Sequence, residues 1–324
     1  MLLEVQDLRI TLATPQGPAE AVRGVDFELA SGETLGLIGE SGSGKSLTAL
    51  ALMGLLPEGA RSAGRVLFEG QDLLALPERQ LGALRGRRLA MVFQEPMTAL
   101  NPLHPIGRQV AEPLRLHLGL GRHAAERRAL ALLERVGLPD AQRRLAAYPH
   151  ELSGGQRQRV TIAMALACEP ALLIADEPTT ALDVTVQAQI LDLLAELVDE
   201  RRMALLLISH DLGVIAENVR AMLVMYGGLV VERGPSAALF RRMAHPYTQG
   251  LMAARPRLGA TRGQALQAIP GSVPGLLEMP PGCPFAPRCR LATAECDAGL
   301  PPPLAADPGH EARCVHLTQA LRDG

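Results

Sequence analysis

Tryptophan is absent from this 324-residue chain, and aromatic residues make up only 2% of it. Single-stranded nucleic acid is gripped by stacking its bases on aromatic side chains, so that platform is scarce here. No excess of positive charge compensates: 32 Lys and Arg stand against 34 Asp and Glu, a net of −2. Binding through phosphate neutralisation needs the opposite balance, and nucleic acid is not an expected partner. Long hydrophobic runs are missing too. A bilayer span takes roughly 20 consecutive apolar residues, whereas the longest runs, Met203–Ile208 and Ala221–Val231, have the length of buried strands. The opening MLLEVQDLRI carries Glu4 and Asp7 and lacks the basic start and apolar core of a signal peptide. The chain is therefore expected in the cytosol, meeting a membrane only through partners.

What is present is enough apolar material, 48% of the residues, to bury a core. Up to about residue 232, strand-like and helix-like segments alternate, the pattern of an α/β sheet covered by helices. Val25–Leu29, Thr34–Ile38, Leu89–Gln94, Ala171–Ala175 and Met203–Ser209 read as strands. Ser46–Leu56 reads as a helix, and Ile190, Leu193, Leu194, Leu197 and Val198 follow helical spacing between Asp183 and Arg201. Residues from about 97 to 168 are mostly helical in pattern, which predicts a helical subdomain inserted between two strands. Beyond Gly234 the composition shifts, and residues 256–324 are rich in Pro and Gly with little periodicity. Such a segment buries too little surface to order itself without a staple.

Three motifs carry chemistry. Gly39, Glu40, Ser41, Gly42, Ser43, Gly44, Lys45 and Ser46 fit G-x-x-x-x-G-K-S/T, follow the strand TLGLI and open a helix at Leu47. Glycines let backbone N–H groups curl round phosphates, and the helix N-terminus adds positive potential. Lys45 is then placed for the β- and γ-phosphates of ATP, and Ser46 for Mg²⁺. ALLIADEP ends an apolar strand in two adjacent acids, a costly arrangement without a cation or polar partner. Asp176 is the expected Mg²⁺ holder, and Glu177 the base for an attacking water. Finally, Leu152–Gln156 reads LSGGQ, where Ser153 and Gln156 have capping-box spacing and Gly154 and Gly155 leave N–H groups open to an anion.

LSGGQRQR between a phosphate loop and an ADEP strand end resembles the signature of the ABC ATPases, and the resemblance covers nearly the whole chain. It implies a P-loop ATPase core, with Ser153, Gly154, Gly155 and Gln156 facing the phosphate loop of a second subunit. It further implies roles for Gln94 (Mg²⁺, the attacking water and coupling to the membrane subunit), Asp183 at the dimer seam and His210 at the γ-phosphate. One family feature is missing: no Phe, Tyr or Trp precedes Phe27 to stack on adenine. An aliphatic such as Leu12 or Val22 is left to take that place.

EPMTALNPLHPIG after Gln94, HPYTQGLMAARP at 245–256 and CPFAPRC in the tail resemble dipeptide and oligopeptide importer ATPases. The implied role is the ATP-hydrolysing subunit of a peptide importer, peripheral on the cytoplasmic face of the inner membrane. The implied partners are a second ATPase (a copy or a sister chain), two transmembrane permeases and an extracytoplasmic solute-binding protein. Importers for nickel, glutathione or another small solute share most of these motifs. A soluble ABC ATPase of DNA repair or translation fits less well, since sustained heptads and a second cassette are lacking. The expected organisation is a nucleotide-binding domain over 1–232 and an extension over 233–324.

Cys168 stands alone in an alanine-rich helical stretch and reads as a small core side chain. Cys283, Cys289, Cys296 and Cys314 share the extension, and disulfides are not expected in the cytosol. Four thiolates suit Zn²⁺ or a 4Fe–4S cluster, but their gaps exceed the usual C-x₂₋₄-C start of a zinc site. Resemblance to the peptide-importer group favours the 4Fe–4S cluster, with Zn²⁺ as the alternative and His310 or His316 as possible replacement ligands. Such a tail would act as a staple or as a redox or iron sensor.

Overall fold

The computed structural model describes residues 1–179, 184–254 and 268–323. The chain opens with an antiparallel hairpin of β1 (Leu3–Thr14) and β2 (Gly17–Leu29), then β3 (Thr34–Ile38) and helix α1 (Lys45–Met53). β4 (Arg61–Phe68) and the two-residue β5 (Gln71–Asp72) complete a four-stranded sheet in the order β2-β1-β4-β5. After α2 (Glu78–Leu84) and β6 (Leu89–Val92) the chain turns wholly helical: α3 (Pro96–Ala99), α4 (Ile106–Leu118), α5 (Arg122–Arg135), α6 (Ala141–Arg144) and α7 (Gly154–Leu166). This is the expected helical insertion. Val110 and Leu114 of α4, Ala125, Ala129 and Leu133 of α5, and Val160 and Ile162 of α7 are fully buried in one apolar cluster. Cys168 lies buried behind α4 and donates its S–H to the Pro113 carbonyl at 3.5 Å.

The sheet resumes with β7 (Leu172–Asp176), α8 (Val184–Arg201), β8 (Ala204–Ser209), α9 (Leu212–Asn218), β9 (Ala221–Tyr226) and β10 (Leu229–Pro235). β7 and β8 are buried at every position, as expected of parallel strands covered on both faces. β3, β8, β7 and β6 run parallel side by side, with Ile38 opposite Ser209, Asp176 opposite Ile208 and Val92 opposite Ala175. Their carboxyl ends therefore finish along one edge. In open α/β sheets ligands bind at that edge.

The extension does not stand apart from this sheet. α10 (Ser236–Arg241) and α11 (Pro246–Ala253) are followed by short turns, then a hairpin of β11 (Leu304–Asp307) and β12 (His310–Ala312), and α12 (Leu317–Asp323). β12 pairs with β10, giving an eight-stranded order β11-β12-β10-β9-β3-β8-β7-β6. His310 and Glu232 form a wholly buried pair at 2.8 Å, and the Glu232 carboxylate also accepts from the Ala244 and His245 N–H groups. The segment expected to need a staple is thus also tied down by strand pairing and by this buried pair. Strands of four and three residues carry too little pattern to be seen in sequence.

Candidate active site

The phosphate loop wraps from β3 into α1. A Cβ on Gly39 would lie 2.2 Å from the Met225 carbonyl oxygen, so only glycine lets the loop leave the sheet here. Lys45 is buried, and its Nζ folds back to donate to the carbonyls of Gly39 (2.7 Å) and Glu40 (3.0 Å) and to Ser43 Oγ (3.5 Å). Burial pushes its pKa down, opposed by the nearby carboxylates of Glu177, Asp176 and Glu40. Burial pushes the pKa of Asp176 up, against the pull of the neighbouring Ser46 hydroxyl and of Lys45. Oδ1 of Asp176 is buried and has no hydrogen-bond partner among the described residues. A buried, unpartnered carboxylate oxygen beside a hydroxyl is the donor set a hard cation takes. Mg²⁺ thus fits at Asp176 and Ser46.

Glu177 follows on the next residue with φ of 48°, an uncommon value for a non-glycine residue. Its N–H is fixed by the Ile208 carbonyl at 2.9 Å. Oε2 of Glu177 accepts from Gln94 Nε2 at 3.1 Å and lies 3.2 Å from His210 Nδ1. Three residues separated by up to 116 positions thus meet at one oxygen, because β6, β7 and β8 end together. Strain at a strand tip, with a carboxylate held by two polar side chains, is a typical setting for a general base.

Ser153 caps α7 as a full capping box: Gln156 N–H donates to Ser153 Oγ at 3.3 Å, and Gln156 Oε1 accepts from Ser153 N–H at 3.0 Å. Arg144 also donates to Gln156 Oε1, at 3.2 Å. Ser153 and Gly154 are exposed, so this helix start faces outward. Asp183 lies outside the described residues. Val22 is fully buried, its side chain lying 3.1 Å from a Cβ built on Gly44, which withdraws it as an adenine platform. Leu12 remains half-exposed.

Two contacts to the loop were not legible in the sequence. The Glu40 N–H donates to the Tyr247 hydroxyl at 2.8 Å, and the Glu40 carboxylate forms a bidentate pair with Arg288 at 2.6 and 3.1 Å. They join residues 207 and 248 positions apart, and no local pattern marks such pairs.

Cys283, Cys289, Cys296 and Cys314 line one cavity together with His245, Phe285 and His316. Burial raises the pKa of Cys283, Cys289 and Cys314, the last to about 11, with the neighbouring thiols adding to the effect. His310 Nε2 pairs with Glu232 and His316 Nε2 with Thr293 Oγ, both at 2.8 Å, while the buried His310 Nδ1 has no hydrogen-bond partner among the described residues. Among the described residues, no three His, Cys, Asp or Glu are arranged to hold a metal ion. The four cysteines share one cavity without being gathered on a single point.

Two family models match the chain: ABC transporter over residues 22–180, and oligopeptide/dipeptide transporter, C-terminal region, over residues 231–296. The oligopeptide transport ATP-binding protein OppD of Salmonella typhimurium is 51% identical over 321 residues, covering 99% of this chain and 95% of that protein. OppD of Escherichia coli is 50% identical over 320 residues, covering 99% and 94%. Among solved structures, a dimeric ATP-binding cassette in a post-hydrolysis state, bound to ADP and Pi, superposes with a TM-score of 0.66 at 27% identity. It covers 72% of this chain and 98% of that one.

Proposed function

Since this chain belongs to the ABC transporter ATPase family, with the oligopeptide/dipeptide transporter C-terminal region, we propose that it is the ATP-hydrolysing subunit of an oligopeptide importer. The observation that carries the hydrolytic half is the meeting of Gln94, Glu177 and His210 at one carboxylate oxygen, beside the phosphate loop and Asp176. The loop from Gly39 to Leu47 holds the nucleotide phosphates, with Lys45 turning outward from its own carbonyls to meet them. Ser46 and Asp176 hold Mg²⁺, with Gln94 completing its surroundings; the ion, when bound, neutralises phosphate charge. Glu177 takes a proton from the attacking water, and His210 orients it at the γ-phosphate. Ser153, Gly154, Gly155 and Gln156 receive the γ-phosphate of the opposite subunit's nucleotide.

Residues 1–232 form the nucleotide-binding domain and 233–324 the extension. No helix among the described residues is long and apolar enough to cross a membrane. The subunit works at the cytoplasmic face through two permeases. Exposed Phe93, Met97 and Leu103, within nine positions of Gln94, support docking there. A solute-binding protein on the far side delivers the peptide. Cys283, Cys289, Cys296 and Cys314 hold a 4Fe–4S cluster, which when bound ties four loops of the extension together.

The test is assembly with the two permeases in vesicles. ATP-driven uptake of labelled short peptides is the expected result. Uptake of nickel or glutathione with no peptide transport would overturn the cargo, and absence of ATP hydrolysis would overturn the reading.

A further inference from the structure

Glu40 is a variable position of the phosphate-loop motif, yet it is held at three points. Its N–H donates to Tyr247, its carbonyl accepts from Lys45 and its carboxylate is clamped by Arg288. Tyr247 and Arg288 both belong to the segment matched as the oligopeptide/dipeptide transporter C-terminal region. Arg288 is built for this contact. Its side chain is only 4% exposed, and its five N–H groups find five acceptors: both Glu40 oxygens, the Tyr226 hydroxyl, and the carbonyls of Pro270 and Ile269. A buried guanidinium so fully bonded has one geometry, and a bidentate carboxylate partner inherits it.

The same anchor reaches the cysteine cavity. Cys289 follows Arg288 directly, and Phe285 lines the cavity while packing on Tyr226 and Tyr247 at ring distances of 5.2 and 5.3 Å. An unbroken run of packed groups thus joins the four thiols to the carbonyls that Lys45 bonds.

We propose that Arg288 and Tyr247 are positioning residues of the phosphate loop, through which the ordered extension sets nucleotide affinity. The inference rests on the reading of Gly39–Ser46 as the ATP site. Release of Glu40 frees the first half of the loop, so its N–H groups are no longer held in one arrangement for the phosphates, which weakens phosphate binding. The catalytic carboxylate and histidine stand on other strands and stay in place.

Fluorescent mant-ATP binding and ATPase kinetics of the full chain test this. Arg288→Met is expected to raise the mant-ATP Kd about 5- to 150-fold, the usual range of coupling between sites. KM should rise in parallel while kcat at saturating ATP stays at the parent value. Arg288→Lys should recover part of the affinity. Because the pair acts as a unit, Glu40→Ala/Arg288→Met should bind no more weakly than Glu40→Ala alone. Tyr247→Phe, which removes one hydroxyl, keeps the question open to test if Arg288→Met does not fold.

Arg233→Met is the control, since it breaks the Arg233–Glu311 pair of the same extension away from Glu40. Parent affinity in both Arg288→Met and Tyr247→Phe would overturn the proposal, as would an equal loss in Arg233→Met. A parent chain that fails to bind mant-ATP would instead overturn the nucleotide reading itself.

Discussion

Nδ1 of His210 lies 3.2 Å from Oε2 of Glu177, each residue standing just past the end of its own buried strand. Parallel pairing of β7 with β8 fixes that distance, and Gln94 reaches the same oxygen from beyond β6. The carboxylate is thereby aimed before any substrate arrives. Such preorganisation contributes to catalysis by sparing reorientation during the reaction.

Glu177→Gln keeps the size and most hydrogen-bonding capacity of the side chain but cannot take a proton. Hydrolysis in the assembled complex is expected to fall about 10²–10⁴-fold, the usual worth of a general base, with nucleotide binding retained. Near-parent turnover alongside normal binding would remove Glu177 from the role of base.

The outward-facing start of α7 predicts that Ser153 serves the opposite subunit. In a dimer with Ser153→Arg in one chain and Lys45→Ala in the other, one site keeps both partners and should trap one nucleotide. With both substitutions on one chain, each site loses a partner and trapping should vanish. The reverse pattern, read from nucleotide bound per dimer, would place Ser153 in its own chain's site.

The line between what was legible and what was not follows the range of the interactions. Gly39–Ser46, Asp176–Glu177 and Ser153–Gln156 were readable because each is a short run at the end of an element, and a strand or helix pattern announces the element. Gln94 and His210 were readable only by resemblance, since a lone glutamine or histidine after an apolar strand has no pattern of its own. The adenine contact stayed unassigned between such aliphatics as Leu12 and Val22, because period-two alternation does not say which face of the first hairpin is covered. Arg288, Tyr247 and the Glu232–His310 pair stayed hidden, being fixed by contacts between residues at least 78 positions apart.

His245 makes stability depend on pH. Burial lowers its pKa from an ordinary 6.5 to about 4, and its Nδ1 accepts from the Tyr247 N–H, which requires the neutral ring. Below the unfolded value the unfolded chain takes up a proton that the folded chain refuses. Stability from this group is therefore full above pH 6.5 and is lost as pH falls towards 4. The loss amounts to about 3 kcal/mol at most, at 1.36 kcal/mol per unit. Denaturant unfolding at pH 7.5 and pH 5 should show a smaller drop in His245→Asn than in the parent; equal drops would dismiss the effect.

Gly282 decides whether the cysteines can converge at all. A Cβ there would sit 2.0 Å from the Cys296 carbonyl oxygen, the atom that accepts the Cys283 N–H at 2.8 Å. Gly282→Ala must therefore push apart the two loops that carry Cys283 and Cys296. If the four thiols hold a 4Fe–4S cluster, protein purified without oxygen should absorb broadly near about 400 nm, bleach with dithionite and contain about four irons per chain. The Gly282→Ala protein should contain less iron, as should Cys289→Ser. A colourless parent with one zinc would overturn the cluster, because the same four thiolates would then be taken by a mononuclear ion. Four thiols titratable without denaturant would overturn it too, leaving β12 pairing and the Glu232–His310 pair to order the segment alone.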